Sequence, residues 1–414
     1  MTALVSLEQF RGTSPQREGW SQPADLFSAG LVECLHSPFC RSLEVFYFKK
    51  SPGPALVFQK QTRPHTHFSA GNIERSVHMK IRSLALAGLF ALSITSVKAV
   101  TLTENFSTDP LRHGWQVFGD TNLFQWNAAN QNLAVTWDSS TNNSYFYMPL
   151  GTILAKDDDF SVTFDLRLND FAAGVDPQMP STFPLSVGFL NLAEASQPGF
   201  LRGTGYNAQD LAEFSFFPDP GGAWIYGPSL TATVIDTTGF NYFSGGYDPD
   251  SLTTDDVYRV SLTYTASSTN LVMNITRNNE MFVSNCVARF SSSFTDFRLD
   301  AISISSYSQA GQDTNNYSGI IYAGSLLAHG AVDNFVVTLP PPPVQNLAVA
   351  LNNGVPQIQF GDRTNWLYTL QRTTDLQSWM DVLPAIAGVE GSLILSDTNA
   401  PSDNAFYRIR AERP

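Results

Sequence analysis

From Asn132 onward, apolar residues recur at every second position through one run after another. Asn132–Trp137, Phe160–Leu166, Leu185–Leu190, Tyr258–Tyr264 and Phe297–Ile304 all follow this rhythm. β-Branched and aromatic side chains fill the runs, and Gly, Pro, Asn and Asp punctuate them. A two-residue period buries one face of a strand and leaves the other polar. No stretch sustains a 3.6-residue apolar period over three helical turns. The pattern therefore predicts an all-β protein, a sandwich or a barrel.

The rhythm breaks twice. The first break is Pro340–Pro343, a polyproline segment that predicts a semi-rigid, extended linker. Beyond it, residues 344–414 carry short strands of their own at Gln357–Phe360, Leu367–Arg372, Ser392–Leu395 and Phe406–Arg410, enough for a small immunoglobulin-like sandwich. The second break is Met79–Val100, where a basic Met79–Arg82 precedes an apolar Leu84–Ile94, with Val97 and Ala99 spaced as the −3 and −1 residues of a cleavage site. That is the layout of a secretory signal peptide. A membrane span needs ~20 apolar residues, and this run is shorter.

Residues 79–99 thus read as a signal peptide, with a mature start near Val100. Residues 1–78 hold neither apolar period and read as a non-native or disordered extension. Charge marks the same boundary. Residues 1–78 carry eight Lys/Arg and six Asp/Glu, whereas from Val100 onward there are 13 Lys/Arg and 31 Asp/Glu, a net charge of −18. So acidic a chain is unsuited to nucleic acid, which is bound through clustered Lys and Arg. No second long apolar run follows Val100, so no membrane span is expected in the mature chain. Cys286 is the one cysteine beyond the leader, which rules out an internal disulfide there and a thiolate metal cluster.

Five segments carry a resemblance over 104–339: ENFSTDP (104–110), NSYFYMPLG (143–151), DDFSVTFDLRL (158–168), EFSFFPD (213–219) and AHGAVDNFVV (328–337). Together they resemble a concanavalin A-like, laminin-G-like jelly roll of a kind secreted by Verrucomicrobia and related bacteria. YTLQRTTDLQSW (368–379) and AFYRIRA (405–411) resemble a small C-terminal module of such proteins. The domain plan is a jelly roll over 100–339, a linker at 340–343 and a small β-sandwich module over 344–414. This fold hosts lectins, glycosidases and adhesion modules alike, so function has to be argued from a site.

Laminarinase-type hydrolases of this fold carry E-x-D-x-x-E on one strand. Here Glu213 stands at the first position, Ser215 replaces the Asp and Pro218 replaces the second Glu. A retaining glycosidase needs two carboxylates ~5–5.5 Å apart, so the expectation leans away from an enzyme. His113 and His329 each precede a glycine and lie in no hydrolase or metalloprotease motif.

Alternation sets Glu213 and Ser215 on one face of their strand, expected to be the concave one. Asn191, at the end of the preceding strand, and the rings of Trp224, Tyr226, Tyr242 and Tyr247 complete a candidate sugar-binding set. Carboxylate and amide groups would take hydroxyls, and rings would stack on the apolar sugar face. By resemblance, Glu104 in the first strand and Asp333 in the last would hold a structural Ca2+, with the Asp-rich stretches Asp157–Asp159 and Asp248–Asp256 as alternatives. The reading is an exported, non-enzymatic protein that binds a polysaccharide or glycan, in the periplasm, at the cell surface or outside the cell. The alternatives are a divergent glycoside hydrolase or lyase, and a structural or adhesive surface component.

Overall fold

In a computed structural model, the structure describes residues 2–4, 99–173, 185–202, 208–217, 228–247, 251–308, 325–401 and 404–414. The fold is the all-β, two-sheet sandwich that the alternation predicted. Its front sheet has seven strands, in the order Tyr242–Tyr247, Ser229–Ile235, Leu211–Phe217, Leu185–Leu190, Leu299–Ser306, Ser144–Leu154 and Gln116–Phe118. Its back sheet runs Glu280–Arg289, Asn270–Arg277, Tyr258–Thr265, Phe160–Ala173, Leu326–Leu339, Asn132–Asp138 and Phe124–Asn127. Val100–Glu104 joins the back sheet as an eighth strand, against Phe335–Leu339. Every pairing is antiparallel.

The core lies where the inward faces of the two sheets meet. Phe146, Val187, Phe189, Phe214 and Ile302 of the front sheet pack with Val162, Phe164, Leu262, Met273 and Phe335 of the back sheet. Trp115 stacks on Phe146 at 5.0 Å, and Phe164 on Phe335 at 5.4 Å. Each such side chain contributes about 1.5–3 kcal/mol on burial, and among the described residues no disulfide assists the core. Cys286 is buried, with its thiol directed at the Gly245 carbonyl.

One irregularity shapes the front sheet. Leu299 pairs with Leu154 but Ala301 with Pro149, so Asp300 alone spans residues 150–153 of the neighbouring strand. Gly151 makes this bulge possible with φ of 65°, where a side chain would be strained.

The C-terminal unit is a second, smaller sandwich. A sheet ordered Gln345–Asn352, Val355–Gly361 and Ser392–Ser396 packs on one built from Leu367–Thr373 and Phe406–Glu412. Ile358, Phe360, Trp366, Tyr368, Leu370 and Ile409 form its core. Thr2–Leu4 pairs with Arg408–Arg410 at the outer edge of this sheet. Apart from those three residues, the expected extension (1–78) and nearly all of the expected signal peptide (79–99) lie outside the described residues.

The proline segment is pinned, which the sequence did not predict. Arg363 donates to the Pro341 carbonyl at 3.1 Å, Gln345 to Pro342 at 2.8 Å and Tyr368 to Pro343 at 2.8 Å. Proline lacks an N–H, but its carbonyl is a strong acceptor, and the module supplies the donors. Among the described residues, no helix is long and apolar enough to cross a membrane.

Candidate functional site

Strand alternation gives the front sheet two unlike faces. Leu185, Val187, Phe214, Phe216, Leu230 and Ile304 point into the core. The opposite face carries Ser186, Ser215, Thr231, Thr233, Ser303 and Ser305, and it too is buried. Hydroxyls bond to hydroxyls across it: Ser186 to Ser215 at 3.0 Å, Ser303 to Ser305 at 2.6 Å, Thr231 to Thr233 at 3.2 Å. Buried polar groups persist only when they are satisfied in this way.

At the centre lies an ion pair. Arg202 Nε donates to Glu213 Oε1 at 2.7 Å, and Arg202 Nη2 donates to Ser215 Oγ at 2.7 Å. The Tyr307 hydroxyl donates to Glu213 Oε2 at 2.9 Å. Arg202 is 0% and Glu213 2% exposed. Burial first, and then the Glu213 charge, push the Tyr307 hydroxyl well above its ordinary pKa, so it stays a donor. The sequence placed Glu213 and Ser215 on the right face but expected that face to be open. Both Glu213 oxygens are engaged, and Ser215 is fully enclosed. Neither is presented to a ligand.

The rest of the predicted set disperses. Asn191 lies past the end of its strand, where its side chain accepts from the Glu194 N–H at 3.2 Å and caps the turn Leu192–Ala195. Val187 and Phe189 of that strand are core residues. Trp224 and Tyr226 lie outside the described residues. Tyr242 and Tyr247 are the two ends of one strand, paired with Ile235 and Leu230 respectively.

Glu104 spends its carboxylate locally. Oε1 accepts from the Phe106 N–H at 2.7 Å and Oε2 bonds His113 Nδ1 at 3.0 Å, while His113 Nε2 meets the Thr108 hydroxyl at 3.0 Å. Asp333 accepts from the Asn334 N–H, and its carboxyl is pushed up mainly by burial, with the Asp165 and Glu104 charges adding to it. Among the described residues, no group of three His, Cys, Asp or Glu is placed to hold a metal ion.

Among the described residues, the front face opens at its rim, at the bulge. A pocket of about 300 Å3 opens there between Pro149, Gly151, Thr152 and Ile153 on one side and Leu192, Asp300 and Ala301 on the other. Tyr147, two residues before Pro149 on the same face, lies within the field of Asp300 and donates its hydroxyl to Gln116 Oε1 at 2.9 Å. Asp300 Oδ1 accepts from the Leu192 N–H at 2.8 Å. Burial raises the pKa of the Asp300 carboxyl, and that N–H partly offsets the rise. Burial and then Asp300 raise the pKa of Tyr147.

Asp300, Tyr147 and Gln116 were not found from sequence. Simple alternation through FRLDAISI sets Asp300 on the face of Ile302 and Ile304, which is the core. The bulge turns Asp300 and Ala301 outward together between Leu299 and Ile302. What the rim offers chemically is a partly desolvated carboxyl in the wall of a small open pocket, with the Tyr147 ring and the Gln116 amide farther along the same edge of the sheet.

No family model and no curated protein matches this chain. Among solved structures, peanut lectin with a nonamer peptide aligns at 12% identity and a TM-score of 0.34, over 59% of this chain and 100% of that one. Lotus tetragonolobus seed lectin gives 12%, a TM-score of 0.34, and 59% and 100% coverage. Lectin II from Ulex europaeus gives 12%, a TM-score of 0.36, and 58% and 98% coverage. Likenesses this distant carry no information on a binding site.

Proposed function

We propose that this is an exported, non-enzymatic binding protein that holds a glycan at the rim pocket of its front sheet. The small C-terminal sandwich, which we read as immunoglobulin-like, is its second module. One observation carries the reading: an open pocket of about 300 Å3 holds the Asp300 carboxyl in its wall, and Tyr147, with its partner Gln116, lies within the field of that carboxyl, two residues before the lining Pro149. That volume is at the lower end of small-molecule sites, ~300–1,000 Å3, and suits one or two sugar rings. A carboxylate accepts from adjacent sugar hydroxyls, an amide both donates and accepts, and a tyrosine ring covers an apolar sugar face.

A binding role is favoured over hydrolysis by the state of Glu213. Its two oxygens are committed to Arg202 and Tyr307, so acting as nucleophile or acid would first require breaking a buried ion pair. The test is a glycan-array screen of the exported chain, run with calcium and with chelator, beside a sugar-release assay. Binding to a defined glycan class without release supports the reading. Sugar release that disappears in Glu213→Gln replaces it with a hydrolase, and an empty array under both conditions leaves a structural or adhesive role.

A further inference from the structure

The sandwich and the C-terminal module are joined by more than the chain. The Asp158 carboxylate, 0% exposed, receives Arg363 Nη2 on Oδ1 and Arg413 Nη1 on Oδ2, each at 2.5 Å. Oδ2 also accepts from the Ala155 N–H at 3.0 Å. Arg413 is only 3% exposed, and its guanidinium lies 5.5 Å from the centre of the Trp366 ring. Asp157 binds Arg413 and Asn365. A carboxylate enclosed this fully is tolerated because two planar forks saturate it.

Two struts run from this clasp to the rim pocket. On one side Ile153, a wall of the pocket, packs against the core of the module. On the other, Arg298 Nη2 donates to the Pro414 oxygen at 2.7 Å, two residues before Asp300 on the same stretch of chain. The pocket wall and the pocket carboxylate are thus both braced by the module that Asp158 locks in place.

We infer that Arg413 and Asp158 are positioning residues for the rim pocket: the clasp fixes the module, and the module fixes Ile153 and Asp300. This rests on the rim being the binding site. Without the clasp, the bulged segment 150–153 keeps its strand neighbour on one side only, and its other face loses the module core.

The experiment compares wild type, Arg413→Ala and Arg413→Lys in the full chain, by backbone hydrogen exchange and by titration of the best glycan from the array. Arg413→Ala is expected to speed exchange at residues 150–154 and 299–302 at least tenfold, to leave Leu211–Phe217 unchanged and to weaken glycan binding at least fivefold. Arg413→Lys, which keeps the charge without the fork, is expected to fall between. Unchanged exchange at both segments in Arg413→Ala overturns the inference. Faster exchange with an unaltered glycan affinity also overturns it, since the clasp would then brace the fold and not the site. If wild type binds no glycan, the reading of the pocket fails, while the clasp is still judged by the exchange at 150–154 and 299–302.

Discussion

Asp210 lies just before the front-sheet strand Leu211–Phe217, and its carboxylate is a cost to the fold at neutral pH. It is 5% exposed, accepts the Arg298 N–H at 2.9 Å and has a backbone φ of 61°. Burial pushes its pKa up to about 7, with the Glu194 charge adding to the rise and the Arg298 N–H opposing it. The sign follows from proton counting. Between pH ~4 and ~7 the unfolded chain has already released a proton that the folded chain still holds, so raising the pH through this window weakens the fold.

Three pH units at about 1.4 kcal/mol each set a ceiling near 4 kcal/mol. Relaxation and water access reduce that to about 2 kcal/mol in practice. Asp210→Asn removes the charge, keeps an oxygen to accept from Arg298, and suits a positive φ. Paired melts of wild type and Asp210→Asn at pH 4.5 and pH 8 test this. The variant is expected to gain about 2 kcal/mol relative to wild type between the two conditions, a few degrees in Tm for a chain of this size. A difference that stays constant with pH, or shifts in favour of wild type at pH 8, would refute the argument that burial dominates at Asp210.

Other outcomes follow from the same geometry. Arg202→Ala strands the Glu213 carboxylate and is expected to cost about 3–5 kcal/mol, while Arg202→Met with Glu213→Gln should recover more than half of that in chemical denaturation. Gly188→Ala would set a Cβ 2.4 Å from Glu213 Cα and 2.5 Å from the Ala212 carbonyl, so a loss of about 1–3 kcal/mol is expected, and a melt equal to wild type contradicts the close approach. Cys286 is buried against the Gly245 carbonyl and should resist a thiol reagent in the native state, reacting fully only once denatured.

The strands were legible because alternation is a local property. Leu185–Leu190 appears in the structure as read, and Asn132–Trp137 and Tyr258–Tyr264 each run one residue longer. Where the reading slipped, something non-local intervened. The strand expected at Phe297–Ile304 begins at Leu299 and reverses its parity at Asp300, because a bulge in a strand some 150 residues earlier absorbs three extra residues. Asn191 was read as a continuation of its strand. The Glu three residues later marks it as a helix cap, and that signal was in the sequence. Glu213 was placed on the correct face, but its enclosure depends on Tyr307, 94 residues away, and on Arg202 from a segment with no alternation of its own. Face is written in local period; cover and partner are not.

The most direct measurement is calorimetric titration of an array-identified glycan into wild type, Tyr147→Ala and Asp300→Asn. Loss of the stacking ring or of the accepting charge removes about 1–2 kcal/mol of contact. Each variant is therefore expected to bind about tenfold more weakly while keeping the native β-sheet circular dichroism spectrum. Affinity unchanged in both variants, with wild type binding well, would contradict a glycan site at the rim pocket.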